Sequence, residues 1–282
     1  PEELEGARPA CLGPSGRSPW VSVMLFDTHC HLDDPRLGEE LDDVLARARQ
    51  AGVHRITSIG CAHDLDSVES ALNIARAHPN WISATVGVHP HDAKHLDDTL
   101  HDAIVEVAND PSVVAIGETG LDYHYDHSPR DVQRQAFRSQ VAVAKELGKP
   151  LVIHTRSAPE DTLRILREEN AREVGGIIHC FSEDAAFAAA ALDLGFVSSF
   201  SGIVTFDKAV EVQEAARRQP ADALLIETDA PYLAPIPKRG KLNEPGYVAY
   251  TARKIAELRG EEPERLAERT YENAMRVFGI ED

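Results

Sequence analysis

From residue 23 onward the chain alternates apolar, strand-like runs with segments of helical period, and this repetition restricts the fold more than any other feature. Eight strand candidates cover residues 23–29, 55–60, 82–89, 113–118, 151–154, 176–179, 196–201 and 223–228. Between them, helical periodicity runs over 39–51, 65–77, 99–109, 130–147, 160–170, 185–194 and 208–218. Gly52, Gly148 and Gly195 stand at helix C-caps, while Pro79 and Pro220 stop the chain soon after two further helices. A Pro/Gly-rich loop at 231–246 and two helical stretches, 247–258 and 264–278, complete the chain. A strand and a helix repeating at this spacing is a βα unit. Eight of them over 23–282 predict an α/β fold, a (β/α)8 TIM barrel in a single domain. The rival is a doubly wound open sheet, which is disfavoured because no Gly-rich phosphate turn follows an early strand.

Residues 1–22 are rich in Pro, Gly, Ser and Arg and have neither an apolar core nor sustained periodicity. They read as a disordered leader rather than a signal peptide, with Met24 an alternative start. No run of eighteen apolar residues exists, so no membrane span is expected. The four cysteines (Cys11, Cys30, Cys61, Cys180) form no CxxC pair and read as free thiols of a reducing, cytoplasmic compartment. A formal charge of −18 excludes a protein that coats DNA with a basic face. It leaves room for an enzyme that grips one or two phosphates in a metal-filled pocket.

In a barrel of this kind catalytic groups stand at the C-terminal ends of strands. Here those ends carry His29 and His31, His89, Glu118, His154, His179 and Asp229. Ending apolar strands on ionisable groups is costly unless the groups are paired or bound to metal. Strict alternation puts Asp27, His29 and His31 on one face, Ile116 with Glu118, and Leu225 with Glu227 and Asp229. With those faces inward, four imidazoles (His29, His31, His154, His179) and two carboxylates (Glu118, Asp229) converge on the mouth. That inventory fits two adjacent divalent ions with Glu118 between them, a device for activating water and clamping a phosphoryl group. Taken singly, a strand-end histidine is more often a hydrogen-bonded structural residue.

Asp229 is the candidate general base, or a ligand alone. Arg156 keeps the parity of His154 and could fork onto a phosphate or instead pair with a nearby acid. Asp27 and Glu227, one layer below, suit the fixing of imidazole tautomers or could instead pair with an arginine in the barrel floor. Cys30 and Cys180 are expected to face the helix layer as core filling. Lys238, Arg239 and Lys241 could guide a nucleic-acid backbone or form a plain solvated loop.

Six motifs in order, DTHCHL at 27–32, VGVHPH at 86–91, IGETGLDY at 116–123, VIHTR at 152–156, HCFSED at 179–184 and ETDAPYLAP at 227–235, resemble the TatD family of metal-dependent deoxyribonucleases in the amidohydrolase superfamily. The intact HxH is similar to the YcfH-like branch. The resemblance implies a two-metal hydrolase of ester bonds in which His29, His31 and Asp229 hold one ion, His154 and His179 hold the second, and Glu118 bridges. It implies that His89 donates to a non-bridging phosphate oxygen, the alternative being a histidine locked by loop packing beside Pro90. DNA is then the expected partner, as ends or single strands, with exonuclease action and no obligate protein partner. The two ions are Mg2+, Mn2+ or Zn2+. His124 and Glu183 depart from the family pattern and bear on substrate detail. The alternatives are the same site acting on a lactone, a cyclic amide or an aminoacyl-tRNA linkage, and a non-enzymatic protein that keeps metal for stability.

Overall fold

The computed structural model describes residues 23–38 and 40–281, so the expected leader over 1–22 lies outside the described residues. Eight strands, β1 (Leu25–Cys30), β2 (Val53–Ser58), β3 (Ile82–Val86), β4 (Val113–Asp122), β5 (Leu151–Arg156), β6 (Gly176–Ile178), β7 (Phe196–Phe200) and β8 (Leu224–Ile226), form one sheet in sequential order. Neighbouring strands all pair parallel. The sheet closes beyond the regular end of β8, through a parallel bridge between Cys30 and Ala230. Helices follow the strands on the outside, giving the expected (β/α)8 barrel. No helix among the described residues is long and apolar enough to cross a membrane.

The strand bodies explain the two layers. Leu25, Ile116, Leu151, Ile153, Ile178 and Phe196 pack with the outer helices. Their alternate neighbours Phe26, Ala115, Val152, Ile177, Val197 and Leu225 form a second cluster with the C-terminal helix Pro263–Phe278. Each fully buried Val, Ile, Leu or Phe contributes about 1.5–3 kcal/mol, so the strand bodies hold the barrel and their ends can carry polar groups. The ring of Phe26 lies 6.0 Å from Tyr271 and 5.8 Å from Phe278, seating that helix against the inner cluster.

Alternation alone would misdirect two of the strands. Phe26 and Ala115 belong to the inner cluster, so a regular pleat would point His29 and Glu118 outward. Register shifts between Asp27 and Cys30 in β1, and between Ile116 and Thr119 in β4, reset the parity and turn both side chains into the mouth. The expected outcome holds for these residues, but its reason was the wrong one. β4 also runs to Asp122, four residues past the expected end, because Thr119–Asp122 pairs with Ile153–Arg156. The helix expected from residue 65 begins at Ser70. Ahead of it Asp64 accepts the Ser67 N–H and the Ser67 hydroxyl donates to the Asp64 carbonyl, closing a separate turn.

Candidate metal centre

The seam between β1 and the chain after β8 assembles the first half of the site. Asp229 N–H donates to the His29 carbonyl at 2.9 Å, and His31 N–H to the Ala230 carbonyl at 2.8 Å. Asp229 itself has φ 58°, a conformation uncommon for a non-glycine residue and one often held at functional sites. His29 Nε2 and His31 Nε2 stand 3.3 Å apart. Glu118 Oε2 lies 3.3 Å from His29 Nε2 and 3.7 Å from His31 Nε2. Asp229 Oδ1 lies 3.7 Å and 3.5 Å from the same two atoms. Donors bound at ordinary length to one tetrahedral zinc-like ion are separated by roughly 3.3–3.8 Å, so His29, His31 and Asp229 fit a single cation, with Glu118 Oε2 beside both rings.

Glu118 turns its other oxygen to the second half. Oε1 lies 2.8 Å from His154 Nδ1 and 2.7 Å from His179 Nε2, and those two nitrogens are 3.3 Å apart. The rings of His29 and His179 stack at 3.8 Å between centroids, joining the halves. Gly117 and Gly120, at φ +149° and +139°, flank this arrangement, and a Cβ on either would strike a β5 carbonyl oxygen. Their lack of a side chain lets β4 lie close enough to β5 for Glu118 to meet His154.

Burial alone would raise the Glu118 carboxyl, but the imidazoles of His179, His89 and His29 outweigh it and hold the group well below the usual carboxylate range. Asp229 is lowered in the same way, burial being overcome by His31, His29 and His179. Burial disfavours charge on the rings, yet Glu118 lifts His179 well above the usual imidazole value. His154 is raised against burial by Asp122 and Glu118, and His31 by Asp229 and Glu118. His29 is lowered by burial and by His179. Two ionised carboxylates inside a ring of imidazoles make a cage for cations.

His89 follows β3, and burial depresses it to about 4, leaving the ring neutral. Its Nδ1 accepts the His91 N–H at 3.1 Å, so Nε2 carries the proton, 3.4 Å from Glu118 Oε1. Arg156 lines the same cavity of about 590 Å3. Its guanidinium lies 4.7 Å over the Tyr125 ring, and no carboxylate engages it among the described residues.

The structure corrects two of the expected supporting roles. Asp27 touches no imidazole nitrogen; its carboxylate accepts the Thr228 N–H at 2.8 Å and the Thr228 hydroxyl at 2.6 Å, tying the barrel seam. Cys180 lines the cavity instead of filling the helix layer, since β6 ends at Ile178 and Cys180 turns to φ 43°. Cys30 is buried among the outer-layer residues as expected. Glu227 Oε1 lies 3.4 Å from His179 Nδ1, close enough to steer that ring. In the basic loop, Lys238 lies over Tyr247 and Arg239 over Phe206.

Asp122 was not singled out from the sequence. It is fully buried, with Oδ2 2.9 Å from His91 Nε2 and 3.3 Å from His154 Nε2. Its Oδ1 accepts the N–H groups of His124 and Tyr125. Burial raises its carboxyl, but His154 and His91 prevail and hold it far below the usual range. The helix Arg130–Leu147 fixes both strand ends: Gln133 Oε1 accepts the Asp122 N–H, and Gln140 Oε1 accepts the Val88 N–H beside His89. The available signal was a buried-helix pattern carrying glutamines seven residues apart, and an aspartate four residues after Glu118.

Comparison with known proteins gives the family and the fold. The family described as TatD related DNase matches residues 26–279. A Bacillus subtilis protein named as an uncharacterized metal-dependent hydrolase, YabD, is 46% identical over 259 residues, 91% of this chain and 100% of that protein. The 3'-5' ssDNA/RNA exonuclease TatD of Salmonella typhimurium is 38% identical over 261 residues, 91% of this chain and 99% of its own. Among solved structures, the Escherichia coli TatD homolog YjjV superposes with a TM-score of 0.84 at 26% identity, covering 91% of this chain and 98% of that one.

Proposed function

The chain belongs to the family of TatD-related DNases, and from that premise we propose that it is a divalent-metal-dependent hydrolase of DNA phosphodiester bonds, an exodeoxyribonuclease. The observation that carries this reading is Glu118, whose two oxygens face separate imidazole pairs. His29, His31 and Asp229 would hold one ion, His154 and His179 the other, with Glu118 shared. Bound ions supply Lewis acidity, which lowers the pKa of water and neutralises charge on the phosphoryl oxygens.

The protein's own groups do the rest. Asp229 is positioned to accept the proton of the attacking water, being ionised and at the cavity wall. His89, neutral and bearing its proton on Nε2, donates to a non-bridging oxygen. Arg156, held over Tyr125 at the cavity rim, receives a second phosphate by its fork of N–H groups. A recessed mouth admits a strand end more easily than the middle of a duplex, and the Salmonella relative's name supports the same preference. The described cysteines are free thiols, which supports a cytoplasmic setting.

The test is hydrolysis of end-labelled single-stranded DNA, with a lactone and an aminoacyl-tRNA assayed beside it. The expected result is stepwise nucleotide release that a chelator stops and added Mg2+, Mn2+ or Zn2+ restores. Turnover of the lactone or charged tRNA with DNA left intact would overturn the proposal.

A further inference from the structure

The end of strand two carries a metal-binding atom that the proposed ligand set leaves out. Beyond Ser58 the β2 backbone continues beside β3: Cys61 bridges Gly87, and Ala62 N–H donates to the Gly87 carbonyl. This continuation aims Cys61 into the cavity that holds His31, Glu118 and Asp229. Its Sγ stands 3.8 Å from Glu118 Oε2, on the side of that carboxylate that faces His29 and His31. His31, Cys61 and Glu118 offer ligand atoms that all lie within 4.8 Å of one another. The separation from Oε2 is that of two donors on one ion, roughly 3.3–3.8 Å for bonds of ordinary length.

We propose that Cys61 is a sulfur donor to the ion shared by His31 and Glu118, and that it biases this position toward thiophilic cations such as Zn2+ and Cd2+ over Mg2+. This rests on the reading of a metal centre given above and adds the class of ion to it. Imidazole and carboxylate accept hard and borderline cations alike, whereas a thiolate discriminates strongly against Mg2+. On binding, the Cys61 S–H bond breaks, the proton passes to solvent, and the sulfur lone pair is given to the ion. The other described cysteines are placed differently. Cys30 Sγ is buried against the Ala230 carbonyl, and Cys180 Sγ lies 3.3 Å from the Ser201 hydroxyl. Neither belongs to a group of converging donor atoms among the described residues.

The experiment titrates the metal-stripped full chain with Cd2+, in a Cys11→Ser background that removes a thiol outside the described residues. The ultraviolet charge-transfer absorption of a cadmium–thiolate bond is followed, with calorimetry in parallel. The expected result is a thiolate band that saturates with the first ion, persists in Cys180→Ser and vanishes in Cys61→Ser. The same Cys61→Ser variant should lose roughly tenfold or more in Cd2+ and Zn2+ affinity while its Mg2+ affinity holds, the scale on which a metal site feels a lost supporting group. Calorimetric Cd2+ binding without the band, or a band unchanged in Cys61→Ser, overturns the assignment of Cys61. Failure of Cd2+, Zn2+ and Mn2+ alike to bind the chain overturns instead the metal centre on which it rests.

Discussion

Asp122 Oδ2 stands 3.3 Å from His154 Nε2, while Nδ1 of that ring faces Glu118 Oε1 at 2.8 Å. A carboxylate at one ring nitrogen holds the proton there and leaves the other nitrogen's lone pair for a cation. Two backbone N–H groups on Oδ1 keep the aspartate from swinging away.

Replacing Asp122 by Asn keeps its volume and removes the charge that fixes this tautomer. The expected outcome is a 10–100-fold loss in affinity for one of the two ions, about the usual effect of losing such a partner, with the other ion retained. Calorimetric titration with Mn2+ checks it. Equal weakening of both ions would mean that Asp122 only supports the fold.

His89 is expected to act on substrate rather than metal, because its Nδ1 is used by the His91 N–H and its Nε2 bears the proton. The His89→Ala protein should carry wild-type metal while hydrolysing DNA at a raised KM and lowered kcat. Metal analysis beside steady-state kinetics decides this. A fall in bound metal would move His89 into the ligand set.

The seam can be tested through Asp27, which sits buried against Thr228. Removing its carboxylate in Asp27→Ala leaves the Thr228 N–H and the Thr228 hydroxyl proton without their acceptor, at about 1–3 kcal/mol each. Denaturant unfolding of the metal-free protein should show a loss of roughly 2–6 kcal/mol with an unchanged m-value. A change within half a kcal/mol would remove Asp27 from the account of barrel closure.

Protons and metal compete for the same cage. His179, His154 and His31 hold protons above the usual imidazole range, so each must be deprotonated before it can ligate. Metal affinity therefore rises with pH through and above that range and levels off once these rings are neutral. In the metal-free protein the sign is opposite. Raised imidazoles stabilise the fold below their unfolded pKa, and that contribution is lost as pH climbs through the folded values. Calorimetry in buffers of different ionisation enthalpy should register proton release with each ion near neutrality. Binding without proton release would contradict it.

The βα repeat made the barrel legible because apolar strand bodies and helical periods are local signals. The six proposed ligands were legible because strand ends seldom finish on ionisable residues without a reason. What alternation could not convey was the pair of register shifts that turn His29 and Glu118 inward, since these arise from pairing with neighbouring strands. Asp122 was missed because β4 reads as ending at Glu118, and only the partner segment in β5 extends it. Cys61 was passed over for a similar reason: the second strand looks finished at Gly60, one residue short of the cavity.

The central claim is that one carboxylate, Glu118, joins two cation positions. The most direct test is electron paramagnetic resonance of the chain loaded with Mn2+, together with metal counting. The account predicts two ions per chain with the spin coupling of a bridged pair, and loss of both the coupling and the DNA hydrolysis in Glu118→Ala that remains folded. Two uncoupled ions, or a coupled pair that survives Glu118→Ala, would contradict it.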